Sequence, residues 1–149
     1  VETVTQGKSE TVPSGKRETD FPPDQINIKA KVAIVGSRDY HNYNEFKTIV
    51  DNDLKEWNLE DVIIVSGGAK GADSLARRYS LENYGVPPTE FIPDWSKGKW
   101  AGLARNSDIV EMSEYMIAFP SKNGRGTQDS IRKFRHKLNG KNLKIHQID

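Results

Sequence analysis

A chain of 149 residues, 35% of them hydrophobic, suffices for one domain with a core of its own. Its formal charge of +1 gives no global pull toward nucleic acid or an anionic membrane, and the absence of cysteine excludes a disulfide framework and a thiolate metal site. His41, His136 and His146 stand far apart in no ligand spacing, no apolar stretch is long enough to span a bilayer and no signal-peptide pattern opens the chain, so a soluble cytoplasmic protein without a metal site is expected.

Residues 1–29 mix Thr, Ser, Gly, Lys and Glu with Pro13, Pro22 and Pro23 and follow neither the helical nor the strand period. A flexible N-terminal tail is expected there and a folded domain over residues 30–149, with Phe21, Ile26 and Ile28 apolar enough to lie on the domain surface. Lys31 to Gly36 is apolar without alternation, the mark of a strand buried on both faces, and it ends in Gly36-Ser37-Arg38-Asp39. Phe46, Ile49, Val50, Leu54 and Trp57 then trace a helical stripe, leaving Glu45, Lys47, Asp51, Asp53 and Lys55 for solvent.

Val62 to Val65 is a second buried strand that stops at Ser66-Gly67-Gly68. From Ala72 the period changes: Ala72, Leu75, Ala76 and Tyr79 fall at i, i+3, i+4 and i+7 of a helix ending near Tyr84-Gly85. Thr89 to Asp94 reads as a shorter third strand closed by Pro93, with Asp94 and Trp95 at its end. Gly98 to Met112 reads as a loop entering a helix, with Ala101, Ala104, Ile109 and Met112 toward the core. Tyr115 to Pro120 is a fourth strand, followed by the turn Gly124-Arg125-Gly126-Thr127. Thr127, Ile131, Phe134 and Leu138 form the last helical stripe, and Leu143 to Ile148 an alternating fifth strand suited to an edge.

Strands alternating with helices in this way make a parallel α/β sheet with helices on both faces, and ligands of such sheets bind at the carboxyl ends of the strands where the winding reverses. Gly36, Ser37, Arg38, Ser66, Gly67, Gly68, Asp94, Gly124, Arg125, Gly126 and Thr127 would gather on that edge. Glycines there remove Cβ atoms where a ligand must approach, and helix N-termini aim free N–H groups at it, an arrangement suited to phosphate; Gly67, Gly68 and Gly71 can equally be no more than a tight connection.

Each candidate side chain has two readings. Thr127 donates to phosphate or caps its helix; Arg38 pairs with phosphate or with Asp39 or Glu45. Asp73 meets a ribose hydroxyl or merely favours its helix dipole. Arg105 and Asn106 belong to a ligand site or to a structural salt bridge. The basic run Arg132, Lys133, Arg135, His136 and Lys137 is a nucleic-acid contact or a solvated face. Neither a Gly-Lys-Ser/Thr phosphate loop nor a Gly-x-Gly-x-x-Gly turn is present, which disfavours an ordinary NTPase or dehydrogenase.

Five segments in order, Gly36-Ser37-Arg38-Asp39, Ser66 to Ala76, Pro93-Asp94-Trp95, Gly98 to Asn106 and Ala118-Phe-Pro120 with Gly124 to Thr127, resemble the YspA/YpsA-related branch of the SLOG superfamily from about Lys31 to the last strand. The resemblance implies a Rossmann-like three-layer sandwich with a five-stranded, mainly parallel sheet. It also implies a pocket for nucleotides or their derivatives. The superfamily includes the lonely-guy phosphoribohydrolases, whose Pro-Gly-Gly-x-Gly-Thr-x-x-Glu signature is matched here at Gly124, Gly126 and Thr127. Arg105 matches that group's catalytic arginine, while Ser130 stands at the glutamate position with Asp129 one residue earlier. It also includes DprA, which binds single strands.

The reading that follows is a nucleotide or nucleotide-derivative binding module or sensor, for a nucleoside monophosphate or an ADP-ribose-like ligand, needing no cofactor. Its ligand residues would be Gly36, Ser37, Arg38, Ser66, Gly67, Gly68, Gly71, Asp73, Arg105, Asn106, Pro120, Gly124, Gly126 and Thr127. The alternatives are an N-glycosidic-bond hydrolase, using Arg105 with Asp73, Asp94 or Asp129 in place of the missing glutamate, and a single-stranded nucleic-acid binder, which the near-neutral charge disfavours. A membrane partner is not expected; a second copy of the chain is left open.

Overall fold

The computed structural model describes residues 29–148; residues 1–28 and 149, and with them the expected tail and its Phe21, Ile26 and Ile28, lie outside the described residues. The elements run β1 (Ala30–Gly36), α1 (Tyr43–Glu56), β2 (Val62–Ser66), α2 (Ala72–Tyr84), β3 (Thr89–Glu90), α3 (Ala101–Met112), β4 (Tyr115–Phe119), α4 (Arg125–Leu138) and β5 (Leu143–Ile145). A one-turn 3-10 helix, Trp95–Lys97, lies between β3 and α3.

The five strands form one sheet in the order β3-β2-β1-β4-β5, and every pairing is parallel. β1 is central and covered on both faces, hence its unbroken apolar run. Alternate residues feed two cores. Val32 and Ile34 pack with α1 and α2 through Phe46, Val50, Ala76 and Tyr79, while Ala33 and Val35 pack with α3 and α4 through Ile109, Val110, Ile131 and Phe134. The chain winds outward from β1 through β2 to β3, then crosses back to β4 on the other side of β1. The fold is Rossmann-like, and the reversal lies between β1 and β4.

Local chemistry sets the ends of the helices. The Asn42 side chain accepts from the Glu45 N–H and starts α1. Gly85 ends α2 and Asn139 ends α4, both in the left-handed conformation that the last turn needs. Lys137, late in α4, donates from Nζ to the carbonyl oxygens of Val110, Glu111 and Ser113 at 2.8–2.9 Å, satisfying the end of α3.

The structure corrects the periodic reading at several points. Asp53 is buried, not solvated: His146 Nε2 lies 2.6 Å from its Oδ2, and the imidazole stacks on Phe119, so the chain after β5 is fastened to α1. A period places a residue on its own helix but knows nothing of a strand arriving from ninety residues away. Trp57 is the residue after α1, and Ala104 is exposed while Val110 takes its place in the core. β3 is two residues long; Phe91 N–H still bonds Ser66 O at 3.0 Å, but Pro93 and the following 3-10 turn lead the chain away.

Candidate functional site

The site begins where β1 ends. Gly36 is a glycine because α2 packs directly on the strand: a Cβ there would stand 2.7 Å from the Ala72 Cβ. Ser37 then bridges three elements, its N–H donating to Phe119 O of β4 and its carbonyl accepting from Ala72 N–H of α2, both at 3.0 Å. Gly71, at φ 71°, lies against the same turn, where a Cβ would fall 2.3 Å from Ser37 O. Arg38 and Asp39 project from it, exposed.

At the end of β2, Gly67 lies under Arg105. The Arg105 Nη1 donates to Gly67 O at 2.8 Å and to Phe91 O at 3.4 Å, and its Nε donates to Asn106 Oδ1 at 3.0 Å. Asn106, buried, passes the connection on: its Nδ2 donates to Gly126 O at 3.2 Å and Asp129 Oδ2 at 3.3 Å, joining α3 to the first turn of α4. Asp73 accepts the Ala69 N–H at 3.0 Å, and pins the glycine loop beside the arginine.

At the end of β4 the chain turns through Ser121 to Gly124 and enters α4. No side chain caps this helix and no acidic residue occupies its first turn, so its N–H groups and the positive end of its dipole are left to whatever lies above. A Cβ on Gly126 would meet nothing within 4 Å. The fold does not require a glycine there.

These three strand ends enclose a cavity of about 360 Å³ at the point where the winding reverses. From β1 and its turn it takes Gly36, Ser37, Arg38 and Asp39; from the β2 end Gly67, Ala69 and Asp73; from α3 Arg105, Asn106 and Ile109. The rest of the wall runs from Ser121 through Asn123, Gly124, Arg125, Gly126 and Thr127 to Ser130.

Electrostatics make the cavity basic. Arg38 and Arg125 have no ion-pair partner among the described residues. Burial lowers the Arg105 pKa, Asp73 opposes that shift and the charge of Arg38 adds to it. Burial raises the Asp73 carboxyl above its ordinary value, against the N–H bonds from Ala69 and Gly67 and the charge of Arg105.

Ten of the expected ligand residues thus meet on one wall: Gly36, Ser37, Arg38, Gly67, Asp73, Arg105, Asn106, Gly124, Gly126 and Thr127. Ser66, Gly68, Gly71 and Pro120 are outside it. The Ser66 Oγ is buried with no partner among the described residues, Gly68 lies under Ile92, and Gly71 faces the Ser37–Arg38 backbone. Thr127 is inside α4, three residues past the N-cap Gly124, and does not cap it. Arg105 bonds carbonyl oxygens instead of closing a salt bridge.

The other two acidic candidates have separate engagements. Asp94 caps the 3-10 helix through Ser96 N–H and Oγ, at 3.1 and 2.6 Å. Asp129 is held by Arg132, by Lys133 at 2.9 Å and by Asn106. The wall residues not anticipated are Ala69, Ser121, Asn123, Val35 and Ile109, with Asp39 considered only as an ion-pair partner. The signal available for Ser121 and Asn123 was their place in the turn between β4 and α4, the connection beside the reversal.

Comparisons with known proteins bear on the family and the fold. The model of the YspA, cpYpsA-related SLOG family matches residues 30–98. The Gene 61 protein of Mycobacterium phage D29 is 31% identical over an alignment of 108 residues that covers 68% of this chain and 86% of that protein. Among solved structures, DNA processing protein A from Helicobacter pylori, described for its single-stranded DNA binding mode, is similar with a TM-score of 0.55. Its identity is 22% over 78% of this chain, and the chain spans 64% of that protein's length, so the likeness shows the shared fold. With its strand-end glycines, its reversal between β1 and β4 and this sequence kinship, the chain belongs to the YspA, cpYpsA-related SLOG family.

Proposed function

We propose that this protein binds a nucleotide or nucleotide derivative, such as a nucleoside monophosphate or an ADP-ribose-like molecule, as a ligand module or sensor that needs no cofactor. The observation that carries the reading is the uncapped N-terminus of α4 opening on a cavity whose walls hold Arg38, Arg105 and Arg125. Phosphate would sit on the N–H groups at Gly126 and Thr127, with Arg38 and Arg125 free to neutralise it and Arg105 set by its carbonyl bonds. The volume is that of a small-ligand site. A cytoplasmic location belongs to the same proposal; no helix of the described residues is long and apolar enough to cross a membrane.

An N-glycosidic-bond hydrolase is the second reading, favoured by one observation: Asp73 is a buried carboxyl on the cavity wall with a raised pKa, as an acid catalyst requires. Single-stranded nucleic acid is a third, suggested by the neighbour's described binding mode. The α4 lysines speak against a wide basic face, because Lys133 and Lys137 are spent on Asp129 and on α3.

Thermal melting with AMP and ADP-ribose tests the proposal. A ligand at 100 times its Kd adds about 2.7 kcal/mol, a clear rise in Tm. Gly126→Val should abolish the rise, because a branched Cβ would fill the phosphate's approach. Millimolar nucleotides that move nothing would overturn the reading.

A further inference from the structure

Four large apolar side chains stand exposed within the stretch that joins β3 to the cavity-lining part of α3: Ile92, Trp95, Trp100 and Leu103. Trp95, 55% exposed, is the one whose position is set. Arg105, Asn106 and Ile109 line the cavity from one face of α3, and Gly102 continues that face one turn toward the helix N-terminus, at i−3, i−4 and i−7. A Cβ on Gly102 would stand 3.0 Å from Cη2 and 3.6 Å from Cζ3 of Trp95. The indole therefore lies against the next turn of the cavity-lining face, whose Gly102 precedes Arg105 by three residues, about 4.5 Å along the helix axis.

Trp95 makes no ring contact with another aromatic among the described residues, and neither Lys97 nor Lys99 beside it has an ion-pair partner there. On the other flank Ile92 reaches over Gly68, where a Cβ would lie 2.3 Å from its Cδ1, next to the Gly67 that carries Arg105. Trp95 thus lies against the turn of α3 that precedes the wall residue Arg105, and Ile92 lies over the residue that follows the wall residue Gly67. A phosphate alone uses none of the aromatic surface, whereas a nucleobase stacks on such a surface.

We infer that Trp95 is the base-stacking subsite of this cavity, and that the ligand is a nucleotide with a purine laid on the indole while its phosphate occupies the α4 N-terminus. The inference rests on the nucleotide reading above and names the second half of that site. The purine is specified because its two fused rings cover more of the indole than a pyrimidine does, and stacking scales with the covered surface.

Calorimetric titration of the full chain with AMP, with ribose 5-phosphate and with oligothymidylate separates the outcomes, using Trp95→Ala and Trp95→Phe. AMP should bind about tenfold or more tightly than ribose 5-phosphate. Trp95→Ala should erase that advantage while leaving ribose 5-phosphate unchanged, and Trp95→Phe should retain most of it. Equal binding of AMP and ribose 5-phosphate, untouched by Trp95→Ala, would overturn the subsite and leave the phosphate site standing. Binding of neither would overturn both. Oligothymidylate binding more than tenfold tighter than AMP, lost in both Trp95→Ala and Trp100→Ala, would show that a strand is the occupant and overturn the assignment to a single purine nucleotide.

Discussion

Arg105 lies across Gly67: its Nη1 donates to the Gly67 carbonyl at 2.8 Å, and a Cβ added to Gly67 would stand 2.2 Å from that same nitrogen. The arginine can hold its place on the cavity wall only because residue 67 has no side chain. Gly67→Ala would displace the far end of a flexible side chain, so the fold should survive at a cost of about 1 kcal/mol while affinity for AMP falls. Gly71→Ala meets rigid backbone at Ser37 O and holds φ 71°, so it should cost more, at least about 2 kcal/mol. Urea midpoints and AMP titrations of the two variants check the contrast; equal losses of stability would refute it.

Lys137 should matter for stability and not for ligand. Its ammonium is shared among three carbonyl oxygens at the end of α3, bonds to a charged donor that are worth about 1.5–3 kcal/mol. Lys137→Met should lower the unfolding free energy by that order and leave AMP affinity within twofold. A large loss of affinity with no loss of stability would return Lys137 to the binding surface.

Asp73 on the cavity wall and Asp129 of α4 should drive stability in opposite directions with pH. Burial would raise Asp129, but the hydrogen bonds from Lys133 and Asn106 and the charges of Lys133 and Arg132 outweigh it and hold its pKa below the ordinary 3.8. Its contribution is present above 3.8 and is lost as pH falls through the lower folded value, so Asp129→Asn should be destabilised at pH 7 and converge with the native chain in acid. Asp73 is raised, so between 3.8 and its folded value the native state keeps a proton that the unfolded chain has released, and stability falls as pH rises. Asp73→Asn should gain on the native chain over that rise. Urea unfolding at several pH values between about 3 and 7 reads both slopes, and parallel curves would contradict the assignments.

Release of adenine from AMP should be undetectable or very slow. The hydrolase glutamate position is Ser130 on the cavity wall, and the adjacent Asp129 carboxylate is engaged by Arg132, Lys133 and Asn106. Lack of an acid or base at that glutamate position costs roughly 10² to 10⁴ in rate, and Asp73 on the cavity wall is the candidate carboxyl left to test. Chromatography over hours, on the native chain and on Asp73→Asn, Asp94→Asn and Asp129→Asn, decides it. Rapid release abolished by one of these substitutions would make the protein an enzyme and name its acid.

The local pattern determined the elements. Unbroken apolar runs at Val32–Val35 and Val62–Val65 can be stable only with both faces covered, and stripes such as Ala72, Leu75, Ala76 and Tyr79 only with one, so a parallel sheet between helix layers was legible from residues alone. The carboxyl edge as the place of the cavity was legible too, because every strand-to-helix turn of such a sheet opens there.

What only the tertiary structure decided was the use of each residue once the elements met. Four glycines read alike in the chain serve four ends: Gly36 admits α2 to β1, Gly71 admits the β1 turn, Gly67 admits Arg105, and Gly126 faces open space. The same holds for charge. Asp53, Lys133 and Lys137 look like a solvated helix face until His146, Ser107 and the end of α3 arrive beside them. Periodicity reports which side of its own element a residue occupies; its partners come from segments distant in sequence, and only packing brings those within hydrogen-bond reach.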